Sequence, residues 1–265
     1  MNTIEIQKKL SNIGDILARI LDPSHVQTDL VLEVIKRSEI STSIKAKLGD
    51  TVGFLKLFHE GENATDAFDR ERRALELLMG EQVPKLLFVA EAEHVIMTSF
   101  IKGKSVLGTL SSNNVNQVSE HMGQWFGRLA NKAPKTNYEG DWASYMDLYS
   151  SGFETDILDN QRPILEQSRI ANLTLSHNDN ALGNFIMGAD KRLYAVDFED
   201  SRMKPEGWDL ITAGRALFGQ MPRELPIISG SLLRGYQLTA KDCNLPDNFD
   251  QVISAVAFAN AAKAA

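Results

Sequence analysis

The chain has 265 residues, of which 43% are hydrophobic and 24% are charged, so it is long enough and apolar enough to bury a globular core. Its formal net charge is −7, which argues against nucleic acid as the main partner, because surfaces that bind nucleic acid are usually basic. The sequence contains no internal repeat and no low-complexity segment, so we do not expect intrinsic disorder.

Cysteine usage and hydropathy limit the cellular setting. Cys243 is the only cysteine, which excludes an internal disulfide and a cysteine-based zinc site. The sequence has no run of about 18 apolar residues, and its first segment, MNTIEIQKKL, lacks the apolar stretch of a signal peptide. We therefore expect a cytoplasmic protein without a membrane partner. Composition leaves its oligomeric state open.

The first part of the chain predicts a β-rich region with one main helix. An amphipathic helix is expected at residues 3–21. Three strands follow between Leu30 and Leu57, and Gly49-Asp50 forms the turn between the last two. A helix over Ala67–Met79 then precedes two further strands, KLLFVA and HVIMTSFI, which are expected to form a hairpin.

The second part of the chain is predicted to be mostly helical. Helices are expected at about 114–132, 143–150 and 160–170, and again from about 208 onward. We place the boundary between the two parts near residue 101, which gives an N-terminal domain over 1–100 and a C-terminal domain over 101–265. The fold class is therefore α+β, and a crevice between two unequal parts is a natural ligand site.

Polar side chains gather in and after the segment SHNDNALGNF. His177, Asp179 and Asn184 lie in this segment, and Asp197 and Glu199 follow in VDFED. A hydrophobic core buries such residues only at a cost in free energy. The general polarity of loops explains the presence of any one of these residues as well as a functional role does. It does not explain the spacing of the whole set. We interpret His177 as a hydrogen-bonding strut rather than as a catalyst.

Two short apolar strands around a turn at Gly188–Lys191 predict how Asn184 and Asp197 are arranged. If those four residues form the loop, Asn184 lies opposite Ala195, and Asp197 lies on the same face two residues further along. A slip of one residue would place them on opposite faces. Asn and Asp oxygens suit Mg²⁺, with substrate phosphates and water as further ligands. Asp179, in the preceding loop, is placed to accept a proton from an attacking hydroxyl.

The pattern H-x-D-x4-N at 177–184, followed by D-F-E at 197–199, resembles the catalytic and metal segments of the aminoglycoside phosphotransferase / choline kinase family. This resemblance implies a bilobal protein-kinase-like fold, with a β-rich N-lobe and a helix-rich C-lobe. It also implies that Asp179 is the catalytic base and that Asn184 and Asp197 bind Mg²⁺. The acid that ends D-F-E, where protein kinases have glycine, favours a small-molecule kinase.

The resemblance also implies nucleotide-binding residues in the first lobe. Lys56 alternates with apolar residues in FLKLF, and Glu71 shares the buried stripe of the Ala67–Met79 helix, so we expect the two to pair. The pair would position the nucleotide phosphates. The segment IMTSFIKG resembles the family's hinge, so the backbone of Ser99, Phe100 and Ile101 is expected to contact the base.

The phosphate-covering loop is expected at about Arg37–Ser43, and it contains no glycine. Its candidate phosphate donors, through hydroxyls and backbone N–H groups, are Ser41, Thr42 and Ser43. In the family that the chain resembles, an Asp-Leu at the place of Asp209 in EGWDL opens a helix and braces the catalytic loop. We interpret Asp209 as structural, since Asp also suits the first turn of a helix.

The acceptor site is the part that the sequence defines least. Acids and aromatics in one segment suit polyols and cations, although we favour core packing for them. These residues are Asp141, Trp142, Tyr145, Asp147 and Tyr149.

Together these features predict an ATP- and Mg²⁺-dependent small-molecule kinase, with GTP as the alternative nucleotide. The partner would be a small-molecule hydroxyl acceptor, namely a sugar, an amino alcohol or an aminoglycoside-like compound.

One rival hypothesis is a non-catalytic nucleotide- or ligand-binding module, which the glycine-free loop favours. The other is a metal-dependent phosphoesterase, which would need paired histidines. The four remaining histidines show no such spacing: His25, His59, His94 and His121.

Overall fold

The computed structural model of the chain describes residues 30–48, 51–149 and 155–261. The helix predicted at residues 3–21 and the turn predicted at Gly49-Asp50 lie outside these ranges. The chain divides after Ile101 into two compact units, here called the N-terminal unit and the C-terminal unit. An antiparallel sheet dominates the first and helices dominate the second, which confirms the predicted α+β class.

The N-terminal unit contains one antiparallel sheet and one helix. The sheet has the strand order β1-β2-β3-β5-β4. Its strands are β1 (Leu30–Arg37), β2 (Ser41–Leu48), β3 (Thr51–Phe58), β4 (Leu86–Ala90) and β5 (Val95–Ser99). The helix, α1 (Glu62–Leu77), begins earlier than its predicted start at Ala67. Its first turn carries one small apolar residue, the buried Ala64, among polar residues, so it lacks the large apolar side chains on which the prediction depended.

Side-chain alternation separates the two faces of this sheet. Leu55 and Met97 belong to a buried apolar cluster on one face. Lys56 and Phe58 lie on the opposite face of β3, where the Phe58 ring is 5.7 Å from the ring of Phe68 in α1. The helix α1 therefore packs on the face of the sheet that carries Lys56.

The C-terminal unit combines two small antiparallel sheets with helices. The sheets have the strand orders β10-β9-β6 and β11-β8-β7. Their strands are β6 (Gly103–Ser105), β7 (Lys135–Asp141), β8 (Arg169–Ser176), β9 (Phe185–Gly188), β10 (Leu193–Ala195) and β11 (Arg202–Pro205). The helices are α2 (Val106–Thr109), α3 (Val115–Lys132), α4 (Trp142–Tyr149), α5 (Thr155–Gln167), α6 (Trp208–Gln220), α7 (Leu225–Thr239) and α8 (Phe249–Ala261).

Helices α3 and α7 pack at very short range because glycines line their contact. A Cβ atom built on Gly235 would lie 2.1 Å from the carbonyl oxygen of Glu120, and one built on Gly123 would lie 2.1 Å from that of Leu232. This packing fixes α3, whose other side supports the strands of the candidate site. In the part of the chain that the structure describes, no helix is long and apolar enough to span a membrane.

A buried carboxylate, Glu206, links α7 to the sheet that contains β7. Its Oε1 accepts hydrogen bonds from Lys135 Nζ at 3.1 Å and from the Tyr236 hydroxyl at 2.7 Å. Burial, together with the nearby Glu206 carboxylate, raises the pKa of the Tyr236 phenol. The segment KTNYEGD, for which the sequence predicts no element, forms strand β7 because β8 supplies its backbone partners.

Candidate active site

The loop that follows β8 is held by one buried carboxylate, that of Asp209 in the first turn of α6. Asp209 Oδ1 accepts hydrogen bonds from Ser176 Oγ at 2.7 Å, Asn178 N at 3.1 Å and Asn180 Nδ2 at 2.7 Å. Its Oδ2 accepts a hydrogen bond from His177 N at 3.0 Å. A buried carboxylate with this many donors fixes the loop in one conformation, in agreement with the structural role assigned to Asp209.

Asn178 gives this loop its sharp turn. Its φ is 66°, a left-handed conformation that Asn adopts more readily than most residues. Its Nδ2 donates to the Asp200 carbonyl at 3.2 Å, and its Oδ1 accepts from Trp208 Nε1 at 3.1 Å. The loop is thus also tied to the acidic segment that follows β10.

His177 is fully buried and lies among aromatic rings. Its ring centroid lies 4.7 Å from that of Phe198, 5.6 Å from that of Phe185 and 6.0 Å from that of Trp125 in α3. Its Nε2 lies 3.0 Å from the carbonyl oxygen of Val196 and must carry the proton, since a carbonyl only accepts. These contacts are those of a strut, as interpreted from the sequence.

Asp179 and Asn184 are brought together by a direct hydrogen bond. Asn184 Nδ2 donates to Asp179 Oδ2 at 2.8 Å and to the Asp179 carbonyl at 3.2 Å. The Asn184 amide oxygen is left to serve as a metal ligand, and it makes no hydrogen bond to another described residue. Asp179 is half-buried, and its Oδ1 accepts only a long bond of 3.3 Å from Ala181 N. Its carboxylate therefore retains lone pairs for a substrate proton.

The register predicted for β9 and β10 is wrong by one residue. Ala195 pairs with Phe185, not with Asn184. The connecting loop includes one more residue than predicted, because Gly188 N donates to the carbonyl oxygen of Arg192 at 2.8 Å. The sequence does not distinguish a four-residue loop at 188–191 from a five-residue loop at 188–192, because the polar Asp190 and Lys191 are followed by another polar residue, Arg192.

Asp197 nevertheless comes directly after a residue that bonds to Asn184, through a contact that strand alternation does not include. Val196 N donates to the Asn184 carbonyl at 2.9 Å, and Asp197 then leaves the strand with a left-handed φ of 69°. Carboxylate oxygens of Asp197 and Glu199 lie within 4.8 Å of each other, and both residues are half-buried. These acids and the Asn184 amide oxygen are hard oxygen donors, so the residues present fit Mg²⁺.

In the N-terminal unit, the ion pair predicted between Lys56 and Glu71 is present. Lys56 Nζ lies 2.7 Å from Glu71 Oε2, and the two side chains are only 5% and 8% exposed. Glu76, interpreted as a surface charge, pairs with Arg72 at 3.0 Å and is well exposed. The role of Lys56 toward a nucleotide stays a prediction.

Comparisons with known proteins identify the fold. No protein-family model matches the chain, and no curated protein matches it in sequence. Solved structures do match. A choline kinase from Streptococcus pneumoniae is 17% identical, with a TM-score of 0.57 over 92% of this chain and 85% of that chain. A macrolide 2′-phosphotransferase from Brachybacterium faecium is 13% identical, with a TM-score of 0.59 over 93% and 88%.

A spectinomycin phosphotransferase, solved in complex with ADP and spectinomycin, is 14% identical, with a TM-score of 0.55 over 94% of this chain and 86% of that chain. The chain has the fold of these phosphotransferases. The neighbours carry the names of the family that the sequence motif resembles, so the resemblance is confirmed at the level of the fold.

Within this phosphotransferase fold, the connection between β1 and β2 is shorter than the loop expected at Arg37–Ser43. The residues Ser41, Thr42 and Ser43 are buried in β2 and are not part of the loop. Thr42 and Ser43 pair with the end of β1, and Ser41 pairs with Phe58 of β3. The Thr42 hydroxyl is already hydrogen-bonded to His59 Nε2 at 3.0 Å. A contact of these three residues with phosphate stays a prediction.

His59, which the sequence analysis did not assign to the site, clamps this connection. In the neutral ring, Nδ1 donates to the Glu39 carbonyl at 2.9 Å and Nε2 accepts from the Thr42 hydroxyl. Its backbone N donates to the Ile40 carbonyl at 2.8 Å. Ser38 Oγ accepts from the Ile40 amide at 3.2 Å. Nothing in the local sequence around His59 indicates these contacts, because its partners are about twenty positions earlier in the chain.

The three residues predicted to form the hinge, Ser99, Phe100 and Ile101, differ in their free backbone groups. Ser99 N donates to the Lys85 carbonyl at 2.8 Å, so this N–H is already used in the sheet. Phe100 N makes a long bond of 3.4 Å to the Val52 carbonyl. Ile101 has no backbone hydrogen bond to another described residue. Base contact by the hinge stays a prediction, and Ile101 is the residue with both backbone groups available.

The acceptor candidates are mostly occupied by structural contacts. Trp142 and Tyr145 are buried, with 0% and 5% exposure, which agrees with core packing. Asp141 accepts hydrogen bonds at the start of α4 from the same helix. Asp147 forms an exposed ion pair of 2.7 Å with an arginine of α5, and this hydrogen bond lowers the pKa of the carboxyl. The side chain of Tyr149 lies outside the described part of the chain.

Proposed function

We propose that this chain is an ATP- and Mg²⁺-dependent small-molecule kinase that phosphorylates a hydroxyl group of a sugar, an amino alcohol or an aminoglycoside-like acceptor. GTP is the alternative nucleotide. The observation that carries the proposal is the hydrogen bond between Asp179 and Asn184 in a loop fixed by Asp209. This hydrogen bond holds the proposed proton acceptor, Asp179, beside the proposed metal ligand, Asn184, in a chain that has the fold of known phosphotransferases.

Asp179 is the proposed catalytic base. The acceptor oxygen forms a bond to the γ-phosphorus of ATP, and the bond between that phosphorus and the departing ADP oxygen breaks. The proton of the acceptor hydroxyl passes to a carboxylate oxygen of Asp179. Asn184 fixes the orientation of this carboxylate through Nδ2, so the protein supplies chiefly positioning and charge.

The remaining charged residues are assigned to the nucleotide and the metal. Asn184 and Asp197 are the proposed Mg²⁺ ligands, with Glu199 beside them. Mg²⁺, when bound, neutralises charge on the phosphate oxygens. Lys56, held by Glu71 at 2.7 Å, is the proposed contact for the α- and β-phosphates.

The proposal is tested by the thermal midpoint with and without Mg²⁺-ATP or Mg²⁺-GTP, for the wild type and for Asp197→Asn. Asparagine tolerates the left-handed backbone at position 197, so this change removes charge with little strain. At about 100 times its dissociation constant, a nucleotide should stabilise the wild type by about 2.7 kcal/mol. This shift should require Mg²⁺ and should be much reduced in Asp197→Asn.

Asp242→Asn is the matched control, because Asp242 is an exposed aspartate outside the candidate site. This variant should retain the full shift. A folded wild type that shows no Mg²⁺-dependent shift with either nucleotide would overturn the proposal.

A further inference from the structure

The C-terminal unit contains a cavity of about 710 Å³ that includes none of the candidate active-site residues. It lies between strands β6 and β9, the turn before β10, and helices α2 and α3. Its size is within the range of sites for small organic ligands. Its lining includes four basic side chains, Lys102, Lys104, His121 and Lys191, and we call it the basic cavity.

The pairing of β6 with β9 brings the lysines together. Gly103 pairs with Gly188, and strand alternation places Lys102 and Lys104 on the same side of β6. Ala189 N donates to the Lys102 carbonyl at 3.0 Å, which attaches the turn before β10 to the start of β6. Lys191 lies in this turn with a φ of 64°. The positions of the three lysines are thus set by backbone hydrogen bonds.

The charged residues that line the basic cavity are positive, whereas the chain as a whole is negatively charged. The chain has a net charge of −7, yet none of the residues that line the cavity is acidic. Among the described residues, no carboxylate forms an ion pair with Lys102, Lys104 or Lys191. Three ammonium groups on one concave surface repel each other, and an anionic ligand would offset that repulsion.

The walls of the basic cavity are apolar. They include Val106, Val118 and Met187, and methionine adapts to ligands of different shapes. His121 also lines the cavity, and its Nδ1 is buried and has no hydrogen-bond partner among the described residues.

We propose that the basic cavity binds a small amphiphilic anion, an apolar body that carries one phosphate, sulfonate or carboxylate group. The apolar walls hold the body, while Lys102, Lys104 and Lys191 bind the anionic group. This inference does not depend on the proposed kinase activity, because no residue of the candidate active site takes part.

The test uses the fluorescence of 1-anilinonaphthalene-8-sulfonate, an aromatic sulfonate, titrated with the full chain. One saturable site is expected, displaced by 1-naphthyl phosphate but not by inorganic phosphate alone or by Mg²⁺-ATP. The double variant Lys104→Glu/Lys191→Glu should weaken binding at least ten-fold. Both residues are exposed, so the thermal midpoint should remain close to that of the wild type.

Lys241→Glu, a charge reversal at another exposed lysine of the same unit, is the control and should bind as the wild type does. Equal loss in the control and in the double variant would overturn the proposal. Displacement by Mg²⁺-ATP would also overturn it, since the probe would then occupy the candidate active site. Binding of an acidic peptide in the absence of probe binding would assign the surface to a protein partner instead.

Discussion

At the scale of single residues, the candidate site depends on one amide that has two roles. Asn184 Nδ2 donates to Asp179, which orients the carboxylate, and in the proposed mechanism the same amide offers its oxygen to a metal. A change at Asp179 should therefore affect proton transfer, while a change at Asn184 should affect proton transfer and metal binding together. The effect of Asn184 on proton transfer follows from its 2.8 Å hydrogen bond to Asp179. The additional effect on metal binding distinguishes Asn184 from Asp179 experimentally.

Replacing Asp179 with Asn should lower kcat by about 100- to 10,000-fold, because general-base catalysis contributes about that much. The KM for ATP should change little, since Asp179 is assigned to the acceptor hydroxyl. The measurement is ADP release with a responsive acceptor, with Asp242→Asn as the control. An equal rate in Asp179→Asn and the wild type would show that another group takes the proton.

His59 offers a second prediction at this scale. His59→Ala removes both ring hydrogen bonds of the β1–β2 connection, so it should raise the KM for ATP more than it lowers kcat. It should also destabilise the protein by about 1–3 kcal/mol. His59→Gln, which keeps a donor and an acceptor, should recover part of the lost affinity. If stability falls while the KM for ATP stays constant, His59 has no positioning role.

At the scale of elements, the Lys56–Glu71 ion pair joins β3 to α1 inside the N-terminal unit. Lys56→Met removes the cation beside a buried carboxylate, which should cost about 3–5 kcal/mol. The double variant Lys56→Met/Glu71→Leu should recover most of that stability but none of the activity. Urea unfolding and ADP release measure the two effects. An active double variant would contradict the role assigned to Lys56.

Asp209 connects the start of α6 to the loop after β8. Asp209→Ala should increase amide hydrogen exchange at His177 and Asn178 at least ten-fold, because both N–H groups lose their acceptor. Asp250→Ala, at the acidic first turn of α8, controls for a general effect of helix electrostatics. Unchanged exchange at these two amides would show that the loop is held by other contacts.

The sequence predicts elements well where a physical requirement is local. Glu71 lies on an apolar helix stripe, so it requires a cation, and Lys56 is the strand residue that supplies one. Prediction fails where the pattern of the residues involved does not indicate the deciding contact. The register near Asn184 depends on a five-residue loop. The position of Asp197 depends on its own left-handed backbone. The clamp by His59 depends on a turn distant in the sequence.

At the scale of the whole molecule, the fold is recognisable although sequence comparison with families and curated proteins finds no match. Structural neighbours with 13–17% identity cover more than nine tenths of the chain. The residues that carry chemistry are few and widely spaced, so most of the sequence is constrained only by burial and by pairing. The resemblance in sequence is therefore confined to short segments, and it is strongest around Asp179 and Asp197.

Phosphoryl transfer to a small-molecule hydroxyl can be observed by ³¹P nuclear magnetic resonance of the protein with ATP, Mg²⁺ and a pool of choline, hexoses and aminoglycosides. A new phosphomonoester resonance should appear with a matching loss of the γ-phosphate signal. This resonance should be absent without Mg²⁺ and in Asp179→Asn. A Mg²⁺-ATP complex that forms but never yields a phosphomonoester with any acceptor of these classes would contradict the proposed transfer and favour a binding module.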